Sequence, residues 1–381
     1  MITQPQIEAD QIVIEGITLH QVSIPFCEPF RISNGEVTEK DAVLVEVRTE
    51  AGITAWGEAS PMSGSFYSDD TPESTWNALT TQLIPALLHD GACNARTYFE
   101  RLGTLPGASF AKAGLEGAVW DAYARTVGTP LCELLGARSR PIPSGVAIGI
   151  YEQTSELVER VALYIDQGYR RVKIKIQPGW DEEPVAAVRA RFPDVSLMVD
   201  ANGAYSISDA EVFLRLDSYC LAMIEQPLAR DAHAEAGELQ KELHTPLCAD
   251  ESAHSPEALD QLIALGAARI INIKIQRVGG LSEALRMLGR ARAAGLECWV
   301  GTMPELGIAS AQGLHLAAHD GFTFPSDIEA SSRWYVDDIV EPAIEIDAQG
   351  FIHLPVGTGT GFRVNRDKIE RHTITSEEFK L

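Results

Sequence analysis

The stretch from Arg171 to Ile275 reads RVKIKI (171–176), SLMVDAN (196–202), LAMIEQP (221–227), PLCADES (246–252) and RIINIKI (269–275), with a longer amphipathic pattern in every gap. Each quoted run is short and rich in branched apolar residues, and the runs start about 25 residues apart, the length of one strand plus one helix. The rhythm continues on both sides, in SGVAIGI (144–150) before it and in ECWVGTM (297–303) and FTFPSDIE (322–329) after it. Between the runs, TSELVERVALYIDQG places apolar residues at 157, 158, 161, 162 and 165, one helical stripe. Ser208-Asp209-Ala210-Glu211 reads as a capping box, and Ser255-Pro256 as an N-cap followed by proline at the first helical position. Eight such units predict an α/β fold whose core is a (β/α)8-type, TIM-like barrel over residues 141–334.

The flanks break this rhythm. Residues 1–140 carry the strand-like ITLHQVSI and AVLVEVRTEAGITAW, then helical patterns at 74–89 and 109–127, which predict a small α+β domain. Residues 335–381 alternate again (AIEIDAQGFIHL) and are expected to return to that first domain. At 381 residues, with 45% apolar and 22% charged, the chain is that of an ordinary folded protein. It has no 18-residue apolar run and no basic start before its first apolar patch, so neither a membrane span nor a secretory signal is expected. Six scattered cysteines without a C-x-x-C suit a reducing, cytoplasmic setting better than a disulfide framework or a zinc site. Thirty-one basic against 54 acidic residues leave a net charge of −23 with no polybasic block, which disfavours nucleic acid as a partner. The expected partner is a small carboxylate substrate, within a homo-oligomer.

Side chains alternate across a strand, so parity sorts each run into two faces. Lys173 and Lys175 share one face, opposite Val172, Ile174 and Ile176. By the same rule Asp200 and Asn202, then Glu225, then Asp250, then Asn272 and Lys274 lie opposite the apolar residues of their strands. One such group is an ordinary rim residue. On five successive strands, however, six charges meet near the C-terminal ends, where barrels build active sites, and they would be desolvated at large cost unless they bind something. Asp200, Glu225 and Asp250 lie 25 residues apart on adjacent strands, an all-oxygen triad that suits Mg2+, with Mn2+ as a substitute. The chain has only eight lysines, and three of them flank this triad. A lysine serves as a base only when its pKa falls towards neutrality, and Lys173 supplies a like charge beside Lys175. Lys175 and Lys274, facing each other across a metal-bound carboxylate, predict proton abstraction α to that carboxylate through an enediolate.

These motifs resemble the enolase superfamily, in the subgroup similar to muconate-lactonizing enzyme, over nearly the whole length. That family's Lys-x-Lys matches VKIKI, its Asp-x-Asn matches Asp200-Ala201-Asn202, its glutamate matches Glu225, its aspartate Asp250 and its later lysine Lys274. The resemblance implies that residues 1–140 cap the barrel, that the C-terminal segment completes the cap, and that Asn202 belongs to the substrate site. No histidine stands at the end of the sixth or seventh strand, unlike the mandelate-racemase and glucarate-type subgroups. QGYRRVKIKIQPGWDEEPV, IEQPLA, TPLCADES, NIKIQRVGG and GTGTG further resemble o-succinylbenzoate synthases that also racemise N-acylamino acids. In that group an arginine three residues after the lysine accompanies racemase activity, and Arg277 stands there.

Two stretches depart from that pattern. WVGTMPELGIAS keeps Glu305, expected at the substrate pocket, but has Thr302 where a second glycine is usual and adds Pro304. SDIEASSRWY sets Asp327 and Glu329 two apart, similar to the acids with which dipeptide epimerases hold an α-ammonium group. A dipeptide epimerase, a muconate-type cycloisomerase or a non-catalytic binding protein of the same fold are therefore the alternatives. Specificity is expected from two cap loops, Pro25–Val37 and Glu58–Asp70, where Phe26, Phe30, Phe66 and Tyr67 are candidates, Phe30 and Tyr67 first. His315 and His319 share a helix face without a third ligand in view, so packing is the expectation for both.

Overall fold

The computed structural model describes residues 11–63, 68–88, 93–105 and 107–380. Its first unit is an antiparallel sheet of β1 (Ile14–Ile32), β2 (Gly35–Thr49) and β3 (Thr54–Ala59), with the chain's last strand on the outer edge of β1. Helix α1 (Ser109–Thr126) lies on β3 at backbone contact distance. A Cβ on Gly57 would sit 1.9 Å from the Gly114 carbonyl oxygen, and one on Gly114 would sit 2.7 Å from the Ala59 nitrogen. Only glycine at both positions permits this approach.

Seven parallel strands follow in sequence order: β4 (Gly145–Ile148), β5 (Arg171–Lys175), β6 (Ser196–Asp200), β7 (Ile224–Glu225), β8 (Leu247–Ala249), β9 (Ile270–Ile273) and β10 (Glu297–Val300). The expected eighth strand, 322–329, is not regular. It closes the ring as an irregular stave, with Thr323 N and Asp327 N each donating at 3.0 Å to Cys298 O and Val300 O. On its other side Ser326 O accepts from Gly145 N at 2.8 Å and Ser326 N donates to Pro143 O at 2.9 Å. Pro325, which has no N–H, interrupts the ladder. The fold is thus a (β/α)8-type barrel with an N-terminal cap.

Parity behaves as the sequence demands. Val172, Ile174, Leu197 and Val199 pack outwards into the helix layer. Met198, Met223, Cys248, Ile270 and Trp299 form a separate cluster inside the ring. Ser255 caps the helix Pro256–Leu265, accepting from Ala258 N at 3.1 Å. The capping box expected at Ser208 is instead built two residues earlier. Ser206 caps a short 3-10 turn (Ile207–Asp209) together with Asp209, whose side chain takes the Ser206 N–H at 2.9 Å. In the tail, Phe351–Ile352 pairs with Ile142–Pro143 beside the barrel, and β11 (Thr373–Lys380) pairs with β1. His315 is a packing residue: Nδ1 accepts from Cys132 N at 3.0 Å and Nε2 meets Thr360 O at 2.9 Å. Among the described residues no helix is long and apolar enough to cross a membrane.

Candidate active site

The barrel interior ends upward in a layer of paired charges. Trp299 lies beneath it, with the Arg171 guanidinium and the Lys173 ammonium each 5.0 Å from its ring centroid. Lys173 Nζ is 3.1 Å from Glu225 Oε2 and 3.7 Å from Asp200 Oδ2, and it also binds Asp327. Arg171 holds the other Asp327 oxygen at 2.6 Å. Burial opposes the charge on Lys173, but Asp327, Glu225 and Asp200 outweigh it and raise its pKa well above the usual lysine range. Lys173 is therefore a fixed cation.

Strand register brings the other groups together. Lys175 stands opposite Asp200, and Asp200 opposite Glu225, across hydrogen-bonded neighbours. Lys175 Nζ donates to Asp200 Oδ2 at 2.6 Å and to Asn202 Oδ1 at 3.0 Å. Asn202, in a left-handed conformation at φ 45°, also donates from its backbone to Asp200 at 2.9 Å and from its amide to Glu251 at 3.0 Å. On the far side Lys274 Nζ donates to Asp250 Oδ2 at 2.9 Å, and Arg277 pairs with Asp250 Oδ1. Asn272 completes the floor by donating to Glu225 Oε1 at 2.7 Å.

Asp200, Glu225 and Asp250 are all buried. Burial first, and then the Asp200 and Asp250 charges, drive Glu225 up to about 8 against the pull of Lys173. Asp250 is buried too, yet Arg277 and Lys274 hold it well below the carboxylate range. Among the described residues no three His, Cys, Asp or Glu side chains stand close enough to enclose a metal ion. In this geometry the three carboxylates are drawn onto lysines and an arginine. Their chemistry nevertheless fits a hard divalent cation: oxygen donors, from adjacent strands, buried, and repelling one another enough to displace Glu225.

Above this floor lies a cavity of about 430 Å³, with Lys173, Lys175 and Lys274 at its base. Phe30, Ile32 and Met62 of the cap form one side, and Met303, Pro304 and Trp334 another. Phe30 lies on the wall, edge-on to Trp334 at 5.0 Å and 6.0 Å from Lys175 Nζ. Tyr67 and Phe66 fall outside the described residues. Glu305 does not line this cavity. It sits behind Met303 and Pro304, beside a second cavity of about 260 Å³ shared with Glu329, Tyr335 and Asp338.

Asp327 and Glu329 border both cavities, and of their carboxylate oxygens only Glu329 Oε2 accepts no hydrogen bond. Asp327 is spent on Arg171 and Lys173, while Glu329 accepts from Ala147 N at 2.7 Å and faces Arg333 Nε at 3.4 Å. Strand parity places Arg171 and Asn272 on the inward face but gives them no role, and nothing in the sequence singles out Glu251.

Comparison with known proteins agrees with this geometry. Residues 14–136 match the mandelate racemase / muconate lactonizing enzyme N-terminal domain, and residues 156–368 match the enolase C-terminal domain-like family. An o-succinylbenzoate synthase of Geobacillus kaustophilus is 40% identical over 95% of this chain and 96% of its own. An N-succinylamino acid racemase of Amycolatopsis is 41% identical over 92% and 94%. The crystal structure of an enolase-superfamily member from Listeria innocua superposes with a TM-score of 0.92 at 36% identity, covering 97% of this chain and 99% of that one.

Proposed function

The chain belongs to the enolase superfamily, in the group that resembles muconate lactonizing enzyme, and from that membership we propose that it is an o-succinylbenzoate synthase and N-succinylamino acid racemase. It is a lyase or isomerase of that superfamily. One observation carries the reading of the chemistry. Lys175 and Lys274 reach a single cavity from opposite sides of the acid floor, with β6, β7 and β8 between their strands.

Asp200, Glu225 and Asp250 would hold Mg2+, or Mn2+ in its place, which supplies positive charge to the substrate carboxylate as its α-proton leaves. In racemisation the neutral amine of one lysine takes the α-proton and the ammonium of the other returns one to the opposite face. In dehydration Lys175 would take the α-proton and return it to the departing hydroxyl, which leaves as water as the carbon–oxygen bond breaks, while Lys274 need act only as a cation. Lys173, held charged, keeps positive potential beneath the reacting carboxylate. The apolar wall of Phe30, Met62, Met303 and Trp334 suits an aromatic or aliphatic substituent. Five described cysteines are unpaired, which fits a cytoplasmic enzyme.

The dipeptide reading is less well supported, because Asp327 is already bonded to Arg171 and Lys173, and the remaining Glu329 oxygen faces the Arg333 guanidinium at 3.4 Å. Polarimetry with N-succinyl-phenylalanine, beside Ala-Glu dipeptide and the o-succinylbenzoate precursor, tests the proposal. Turnover of the first and third is expected, and efficient epimerisation of the dipeptide alone would overturn it. Arg277→Met should damage racemisation more than dehydration, since Arg277 shares Asp250 with Lys274.

A further inference from the structure

Lys40 lies on β2 in the cap, outside the charged floor, and is 1% exposed. A buried lysine must satisfy three N–H donors, and this one does so with backbone oxygens alone: Ser60 O at 2.8 Å, Pro61 O at 3.0 Å and Met303 O at 3.3 Å. Two of these acceptors belong to the cap and the third to the loop after β10. The residues next to them, Met62 and Met303 itself, are the two methionines of the cavity wall.

The segment that ends at Met62 is fastened along its length. Gln276, between Lys274 and Arg277, accepts from Ser60 N at 3.0 Å and donates to Glu58 O at 2.9 Å. The Glu58 carboxylate accepts from Leu306 N and Ala309 N, both at 2.8 Å, at the start of the helix Gly307–Ala317. Lys40 bonds directly to the carbonyls on both sides, Pro61 O and Met303 O, next to the two methionines, while the other tie between these segments, Glu58 to Leu306 N, lies farther from them. Burial lowers its pKa to about 8, while Glu58, Glu305 and Asp41 oppose the fall, so at neutral pH it keeps its third donor.

We propose that Lys40 is a positioning residue for substrate specificity: by tying Pro61 to Met303 it sets the spacing of Met62 and Met303 and so the width of the pocket that takes the substrate's apolar group. The proposal rests on the reading of the barrel mouth as a substrate pocket for N-succinylamino acids. Lys40→Met removes every donor, whereas Lys40→Arg keeps charge and donors.

In Lys40→Met, KM for N-succinyl-phenylalanine should rise at least tenfold with kcat changed less than threefold, KM for N-succinyl-alanine should change less, and Lys40→Arg should recover part of the loss. Hydrogen exchange, which needs no turnover, should rise together in 58–62 and 303–306 of Lys40→Met. Equal kinetic constants for both substrates in folded Lys40→Met, or exchange that rises in one segment alone, would overturn the proposal. If the wild-type protein turned over neither substrate, the proposed function would fail, and the exchange measurement would still decide whether Lys40 joins the two segments.

Discussion

The barrel floor and the chamber behind Met303 both bury four acids, but their cation supply differs. On the floor Asp200, Glu225, Asp250 and Asp327 meet Arg171, Lys173, Lys175, Lys274 and Arg277. Around the chamber Glu305, Glu329 and Asp338, with Glu58 close enough to raise Glu305, have Lys40 and Arg333. Arg171 and Lys173 accordingly hold Asp327 at about 2 in spite of burial, whereas burial and Glu58 push Glu305 up to about 8, and burial lifts Glu329 to about 7. Burial alone therefore does not set the charge: Glu225 on the floor is raised to about 8 just as Glu305 is, and only acids gripped by arginine and lysine together, Asp250 and Asp327, are pulled down. A floor rich in ammonium partners can exchange them for a divalent cation, whereas the cation-poor chamber serves as wall.

The largest expected effect follows from the floor. Removing divalent metal with EDTA should cost about 10³-fold or more in turnover, the equivalent of several kcal/mol of charge stabilisation, and Mg2+ or Mn2+ should restore it. Glu225→Gln should show a comparable loss that added metal does not repair. Full turnover of metal-free enzyme would remove the distinction between the two clusters.

Next comes Lys173→Met, which removes the ammonium shared by Asp327 and Glu225 and leaves Glu225 with the neutral Asn272 amide and Asp327 with Arg171 alone. Denaturant unfolding should register a loss of about 3–5 kcal/mol. Saturating Mg2+ should return part of it, because a cation bound to the native floor stabilises the fold. An unchanged midpoint would mean that Lys173 is not the compensating charge.

The effect of substitution in the chamber vanishes at acid pH and shows only as a slope. Glu305 has a folded pKa raised from 4.5 to about 8, so the folded state retains a proton that the unfolded chain has released. Its contribution is complete below about pH 4.5 and disappears as pH rises through about 8, with a slope of at most about 1.4 kcal/mol per pH unit. Glu305→Gln should be close to wild type in stability at pH 5 and should lose that slope between pH 5 and 8. Parallel stability–pH curves for the two proteins would show that Glu305 is already ionised.

The floor was readable from the sequence because period-two alternation forces same-parity residues on adjacent strands into one layer. Lys173, Lys175, Asp200, Glu225, Asp250 and Lys274 needed only strand spacing to be found. The irregular eighth stave was not readable, since its closure depends on backbone bonds from Cys298 and Val300 around Pro325 rather than on a side-chain period. Nor was the cap-side wall. Lys40, Gln276 and Glu58 act through backbone oxygens and N–H groups of distant segments, and no local spacing records which carbonyl a buried ammonium will meet. Glu305, expected at the substrate pocket, lines the second cavity instead, and loop spacing does not record which of two neighbouring cavities a side chain enters.

Stereospecific exchange at the α-carbon tests the two-lysine floor. Each enantiomer of N-succinyl-phenylalanine is incubated separately in D2O with Mg2+ and either Lys175→Ala or Lys274→Ala, and deuterium incorporation is followed by NMR. Both variants should lose racemisation by at least ~10²-fold. Each should still exchange the α-proton of one enantiomer, and the enantiomer should be opposite for the two variants. Exchange retained for the same enantiomer in both variants, or for both enantiomers in either, would contradict bases on opposite faces.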